Sequence, residues 1–267
     1  MSGVRAIVLR TAGTNCDQET VRALEVAGAE PDLLHLNALV AEPTRLADYG
    51  ILVLPGGFSY GDYVAAGRVY GVELREHLAA EVRAFVDAGG HVLGICNGFQ
   101  VLVELGLLEH GVPGPRERCI TLDANESNRF EARWVLLQGQ DCAAPWVEPG
   151  ELLPVPVAHA EGRFVVRDDE VLEQLVERRQ IAWRYVTEDG ERPVYPANPN
   201  GSVDDVAGIC DPTGRVVGLM PHPERNLTPW NHPLWTRLPS RDEGQGVRFF
   251  RRLVDAAAST SPAACNP

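Results

Sequence analysis

The chain has 267 residues, 45% hydrophobic and 23% charged, the proportions of an ordinary globular protein long enough to bury a full core without staples. Its 24 Lys and Arg against 37 Asp and Glu leave a formal net charge of −13, which argues against nucleic-acid phosphates or an anionic membrane surface as partners. No apolar run approaches the roughly 18 residues of a spanning helix, so a cytoplasmic protein is expected, with no membrane and no nucleic acid as partner.

RAIVLR at 5–10 is apolar and turns polar at once, which predicts a buried strand and not a signal peptide. QETVRALEVAG at 18–28 predicts a helix with Val21 and Leu24 on one face, stopped by Gly28. ILVLPGG at 51–57 predicts a strand ending in a glycine turn. RVYGVELREHLAAEVRAFVDAGG at 68–90 predicts a long helix closed by Gly89-Gly90. HVLGIC at 91–96 is a third strand, followed by the amphipathic NGFQVLVELG. Strand and helix alternating in this way predict an α/β fold, a central mostly parallel sheet flanked by helices.

From about 119 to 220 strands dominate, among them LPVPVAH (153–159), VAGICD (206–211) and RVVGLM (215–220), broken by the loop YPANPNGS at 195–202. No linker intervenes. The second half therefore predicts antiparallel or mixed sheet added to one domain over 1–255, with 256–267 as a flexible tail. Six cysteines (16, 96, 119, 142, 210 and 265) form no C-x-x-C, which points to reduced thiols and to no metal site.

Three segments carry chemistry. GICNG at 94–98 has the form G-x-nucleophile-x-G between a strand and a helix, the context in which a tight turn holds Cys96 at the sheet edge as a nucleophile. The helix N-terminus beside its sulfur favours thiolate. In MPHPER, Pro221 and Pro223 push His222 into extended geometry, where residues two apart face the same way. Glu224 then lies alongside His222 and orients it. In LPGGFSYGDY (54–63), Gly56 and Gly57 free backbone N–H groups for an oxyanion. All three fall just past the carboxyl end of a predicted strand, and those ends share one edge of a parallel sheet. Together they predict a Cys–His–Glu nucleophilic site.

GGFSYGDY, GICNGFQ and PHPER resemble the class I, triad-type glutamine amidotransferases. GTNCDQET (13–20), NESNRFEARW (125–134), VAHAEGRF (157–164) and NPNGS (198–202) extend the likeness from about residue 4 to 255. Within that family the chain is similar to the glutaminase branch of de novo purine synthesis. The resemblance implies the family's flavodoxin-like fold and L-glutamine as substrate. Cys96 attacks the side-chain amide, the N–H groups of Gly57 and Asn97 hold the oxyanion, and His222, oriented by Glu224, protonates the leaving ammonia and then activates water. Gln100, one helical turn past Cys96, reaches the bound glutamine; backbone at Arg129 and Phe130 contacts its amino and carboxylate groups. The ammonia passes to a large ATP-dependent synthetase subunit that converts formylglycinamide ribonucleotide to the amidine, with a small third subunit. ATP and Mg2+ belong to that synthetase, and this chain needs no cofactor and no metal of its own. A γ-glutamyl or peptide hydrolase with the same triad is the alternative, and a scaffolding subunit with a vestigial site a third reading. His159 and Glu161 read as structural or partner-facing, Cys16 as packing, and 187–197 as a long surface stretch.

Overall fold

The computed structural model describes residues 3–110, 118–189 and 192–260. The first part of the chain runs β1 (Arg5–Arg10), α1 (Asp17–Val26), β2 (Glu30–His35), α2 (Leu36–Ala41), β3 (Ile51–Leu54), α3 (Arg68–Asp87), β4 (His91–Ile95), α4 (Asn97–Leu105) and α5 (Leu107–His110). The second runs β5 (Ile120–Asp123), β6 (Glu131–Gly139), β7 (Leu152–His159), β8 (Arg163–Val166), α6 (Asp169–Glu177), β9 (Ile181–Val186), β10 (Val206–Cys210), β11 (Val216–Leu219) and α7 (Gln245–Thr260).

Among the described residues nine strands form one sheet in the order β2-β1-β3-β4-β11-β10-β9-β6-β7; β5 and β8 pair separately. The expected α/β sheet is present, and the second half of the sequence continues the same sheet. Pairing is parallel from β2 to β11 and antiparallel from β11 to β7. The parallel strands β3 and β4 are buried along their whole length, as continuous apolar runs covered on both faces must be. Right-handed crossovers place α1, leading outward to β2, and α3, leading inward to β4, on opposite faces. Accordingly α1 packs with α7 and α3 with α4.

Helix α4 is buried on every side, which its apolar sequence permits. Strand β2 escapes an apolar-run reading because EPDLLH sits at the sheet edge, half-exposed, where Pro31 is tolerated. The tail expectation needs correction: residues 256–260 are the last turn of α7, with Ala257 buried against the core. Residues 261–267, which include Cys265, lie outside the described residues, as do 190 and 191 of the 187–197 stretch.

The antiparallel half does not lie flat. His222, just past β11, donates its N–H to Pro156 O at 2.9 Å, and the Cys96 thiol lies 3.8 Å from Ala158 O. Both acceptors belong to β7, the far edge of the sheet, so that half curls until its last strand returns to the carboxyl ends of β4 and β11.

Candidate active site

Strands β3, β4 and β11 are neighbours, with Leu54 opposite Gly94 and Ile95 opposite Leu219. Gly56, Cys96 and His222 follow those three strands, so the sequence motifs do meet at one edge. Cys96 sits at φ 52, ψ −107, a strained position for a residue with a Cβ, and its N–H donates to Leu219 O at 2.8 Å. The flanking glycines are what the turn requires: a Cβ on Gly98 would lie 1.8 Å from Leu54 O, and one on Gly94 2.6 Å from Gly98 O. Cys96 O accepts from the N–H groups of Phe99 and Gln100, so α4 begins at the nucleophile. Asn97 opens that helix, and its own N–H is among those a helix leaves without an internal acceptor.

His222 Nδ1 lies 2.6 Å from Glu224 Oε1, with both residues buried. The pairing expected from the sequence is present, but its route differs. Pro223–Arg225 forms a 3-10 turn closed by Arg225 N–H to His222 O, and this turn curls the carboxylate back onto the ring. Strand alternation plays no part. Burial opposes charging of His222, yet the Glu224 carboxylate, with the Cys96 and Cys16 thiols beside the ring, holds it well above the usual imidazole range. Gly56 lies between these groups: a methyl there would come 2.8 Å from His222 Cε1, 3.1 Å from Cys16 Sγ and 3.4 Å from Cys96 Cβ.

The side chain of Asn97 joins two of the motifs. Its Oδ1 accepts from Ser59 N–H at 3.1 Å, and its Nδ2 donates to Asp62 Oδ1 at 3.2 Å and Gln100 Oε1 at 3.0 Å. GGFSYGDY is thereby pinned to the turn that carries Cys96. Gln100 is near the nucleophile as expected, but its amide donates to Glu161 O, so it ties α4 to the 158–162 segment. Gly57, at φ 143, packs on the 13–15 loop. Burial pushes Asp62 up to about 6, with the Glu161 charge adding to it.

Asn125 organises the opposite wall. Its Nδ2 donates to the carbonyls of Arg129 (2.9 Å) and His159 (2.8 Å), and its Oδ1 accepts from Gly162 N–H at 3.1 Å. The amide orientation is therefore set, and His159 Nδ1, 3.1 Å from the same Oδ1, must carry the ring proton. Burial, with His222 nearby, lowers His159 to about 3. Asn200 donates to Gly162 O and completes the hold. Arg129 and Phe130 are exposed at the rim, where Phe130 stacks on Phe58 with ring centroids 6.4 Å apart. Sequence reasoning missed Asn125, Asp62 and the Asn97 side chain: the strings that contain them were read for their glycines, the nucleophile and the family likeness, and nothing local shows where these polar side chains bond.

Among the described residues no helix is long and apolar enough to cross a membrane. Residues 3–255 match the family model of the CobB/CobQ-like glutamine amidotransferase domain. The chain is 43% identical to the phosphoribosylformylglycinamidine synthase subunit PurQ of Dehalococcoides mccartyi over 95% of this chain and 98% of that protein. It is 42% identical to the subunit of that name from Picrophilus torridus, over 96% of this chain and the whole of the relative. A chain of the PurLQS structure from Thermotoga maritima superposes with a TM-score of 0.70 at 34% identity, covering 95% of this chain and 98% of that one.

Proposed function

The chain belongs to the CobB/CobQ-like glutamine amidotransferase domain family and, within it, to the PurQ subunits of phosphoribosylformylglycinamidine synthase; on that premise we propose that it hydrolyses L-glutamine and delivers the ammonia to a synthetase partner. The observation that carries the reading is Cys96 on a strained strand-to-helix turn, one strand away from a His222–Glu224 pair bonded at 2.6 Å.

Cys96 Sγ, its proton passed to His222, attacks the carboxamide carbon of glutamine, and backbone N–H groups at Gly57 and Asn97 hold the oxyanion. Collapse of the tetrahedral adduct breaks the C–N bond, and His222 gives its proton to the leaving nitrogen, which departs as ammonia. The γ-glutamyl thioester remains on Cys96. His222 then takes a proton from water, the resulting hydroxide attacks the thioester carbon, and glutamate and free thiol result. Glu224 fixes the ring throughout. Gln100, with Arg129 and Phe130, borders the space for the amino-acid end of the substrate. The ammonia goes to the large synthetase subunit, which uses ATP and Mg2+ to make formylglycinamidine ribonucleotide, with a small third subunit in the complex. This chain supplies no cofactor, and we place the complex in the cytoplasm. The γ-glutamyl or peptide hydrolase alternative is not favoured, because the full-length likeness is to synthase subunits.

The test is intact-mass spectrometry after incubation with diazo-oxo-norleucine, a glutamine-mimicking electrophile. One adduct at Cys96, blocked by excess glutamine, is expected. No adduct in the presence of both synthetase subunits would overturn the reading.

A further inference from the structure

Cys16 is a second buried thiol beside the catalytic imidazole, and the reaction does not use it. Cys16 Sγ, a ring nitrogen of His222 and a carboxylate oxygen of Glu224 lie within 4.8 Å of one another, and all three residues are buried. Glu224 Oε2 and His222 Nε2 are buried with no hydrogen-bond partner among the described residues. A thiol, an imidazole and a carboxylate converging at this spacing are the donor set of a zinc-type ion, and the unpaired buried oxygen of Glu224 is costly without one. We propose that Cys16, His222 and Glu224 form an inhibitory site for a soft divalent transition-metal ion such as Zn2+.

Thiolate and carboxylate neutralise the dication, neutral imidazole is the third ligand, and a water completes a tetrahedron. Binding releases the Cys16 thiol proton and the proton held by His222. Arg225 Nη2, 3.0 Å from Cys16 Sγ, stays as a hydrogen-bond donor to the bound thiolate, its own charge answered by Glu19 at 3.3 Å. A groove of about 650 Å3 borders Glu224 and Arg225, lined also by Glu19, Arg22, Asp242 and Glu243, with carboxylates outnumbering guanidinium groups. An occupied site takes the catalytic histidine out of proton transfer. That effect on turnover rests on the glutaminase reading; the binding itself does not.

The experiment titrates Zn2+ against a competing chromophoric chelator, using the full chain after metal stripping. The parent and Cys96→Ala are expected to bind one tight equivalent. Cys16→Ser is expected to weaken it by at least the roughly 10–100-fold that even an outer-shell change costs. The Cys142 and Cys210 thiols are present in every variant, so differences report Cys16. Binding by Cys16→Ser within about twofold of the parent, or loss of binding in Cys96→Ala, would overturn the proposal. Should Cys16→Ser fail to fold, Cd2+ added to Cys96→Ala decides: a thiolate-to-cadmium absorption band supports the site, and its absence overturns it. Zn2+ inhibition of glutamate release, reversed by EDTA, is expected in the complete complex. No turnover in any sample would sink the glutaminase reading while the titration still decides the metal site.

Discussion

In the parallel half of the sheet each reactive group lies one to three residues past a strand: Gly56 and Gly57 after β3, Cys96 after β4, His222 after β11. In the antiparallel half the groups near the site are mostly backbone carbonyls, Pro156 O and Ala158 O on β7 and Glu161 O beyond it, held in place by buried amides. One half supplies chemistry through short local strings. The other supplies a wall whose position depends on strand pairing, curl and a hydrogen-bond network. Damage to the first should therefore remove the reaction, and damage to the second should loosen it.

The sharpest break is Cys96→Ala. We expect glutamate release by the complete complex to fall by roughly 10^4-fold or more, with an unchanged melting temperature, since only the nucleophile is lost. A comparable rate in that variant would remove the chemistry from the parallel half. Next is Gly98→Ala, whose new methyl meets Leu54 O at 1.8 Å. About 1–3 kcal/mol of stability or more should go in urea unfolding, together with reactivity of Cys96 toward electrophiles. On the wall side, Asn125→Ala leaves Gly162 N–H and the His159 ring without their acceptor. We expect a loss of about 1–3 kcal/mol, with KM for glutamine rising more than kcat falls. A kcat collapse at constant KM would show that the wall takes part in bond making.

Acid distinguishes the halves less steeply. His159 in the wall and His91 at the start of β4 are neutral in the fold, lowered by burial to about 3 and about 4. The unfolded chain takes up a proton at each below about 6.5, so their share of stability is lost as pH falls from there toward those values. His159→Gln should flatten the acid limb of a stability-versus-pH curve, and His91→Gln should flatten it over a narrower range. The smallest effect expected is for Glu161→Gln: removing that charge should bring the Asp62 carboxyl, near 6 in the parent, down toward its ordinary value, read by carboxyl NMR.

The difference between the halves also explains what the residues disclosed beforehand. The elbow was legible because Gly94, Cys96 and Gly98 are neighbours in sequence as well as in space, and a buried apolar strand precedes them. The His222–Glu224 contact was legible as a pair, though not its 3-10 turn, because prolines signal restriction without specifying which turn follows. The return of β7 to Cys96 was not legible, since curl is a property of four paired strands and has no local string. Asn125 was likewise opaque, and His159 was legible only as structural or partner-facing: a buried amide network cannot be told from solvated side chains until its donors and acceptors are placed together. Residues 256–260 read as tail because alanines, serine and threonine carry no helical stripe of their own; the helix reaches them by continuing from Phe249, Phe250 and Leu253.

The insertion of β11 beside β4 has a consequence for biosynthesis. Chains leave the ribosome from the N-terminus, so the turn bearing the thiol emerges long before the imidazole and carboxylate that would act with it. Every strand of the wall is translated in between. A nascent or prematurely terminated chain that stops short of the β10–β11 hairpin therefore holds a lone thiol and no proton carrier, and consumes no amino acid. Hydrolysis begins only when nearly the whole polypeptide has been made and threaded into register, so the capacity to release a toxic base marks a finished molecule.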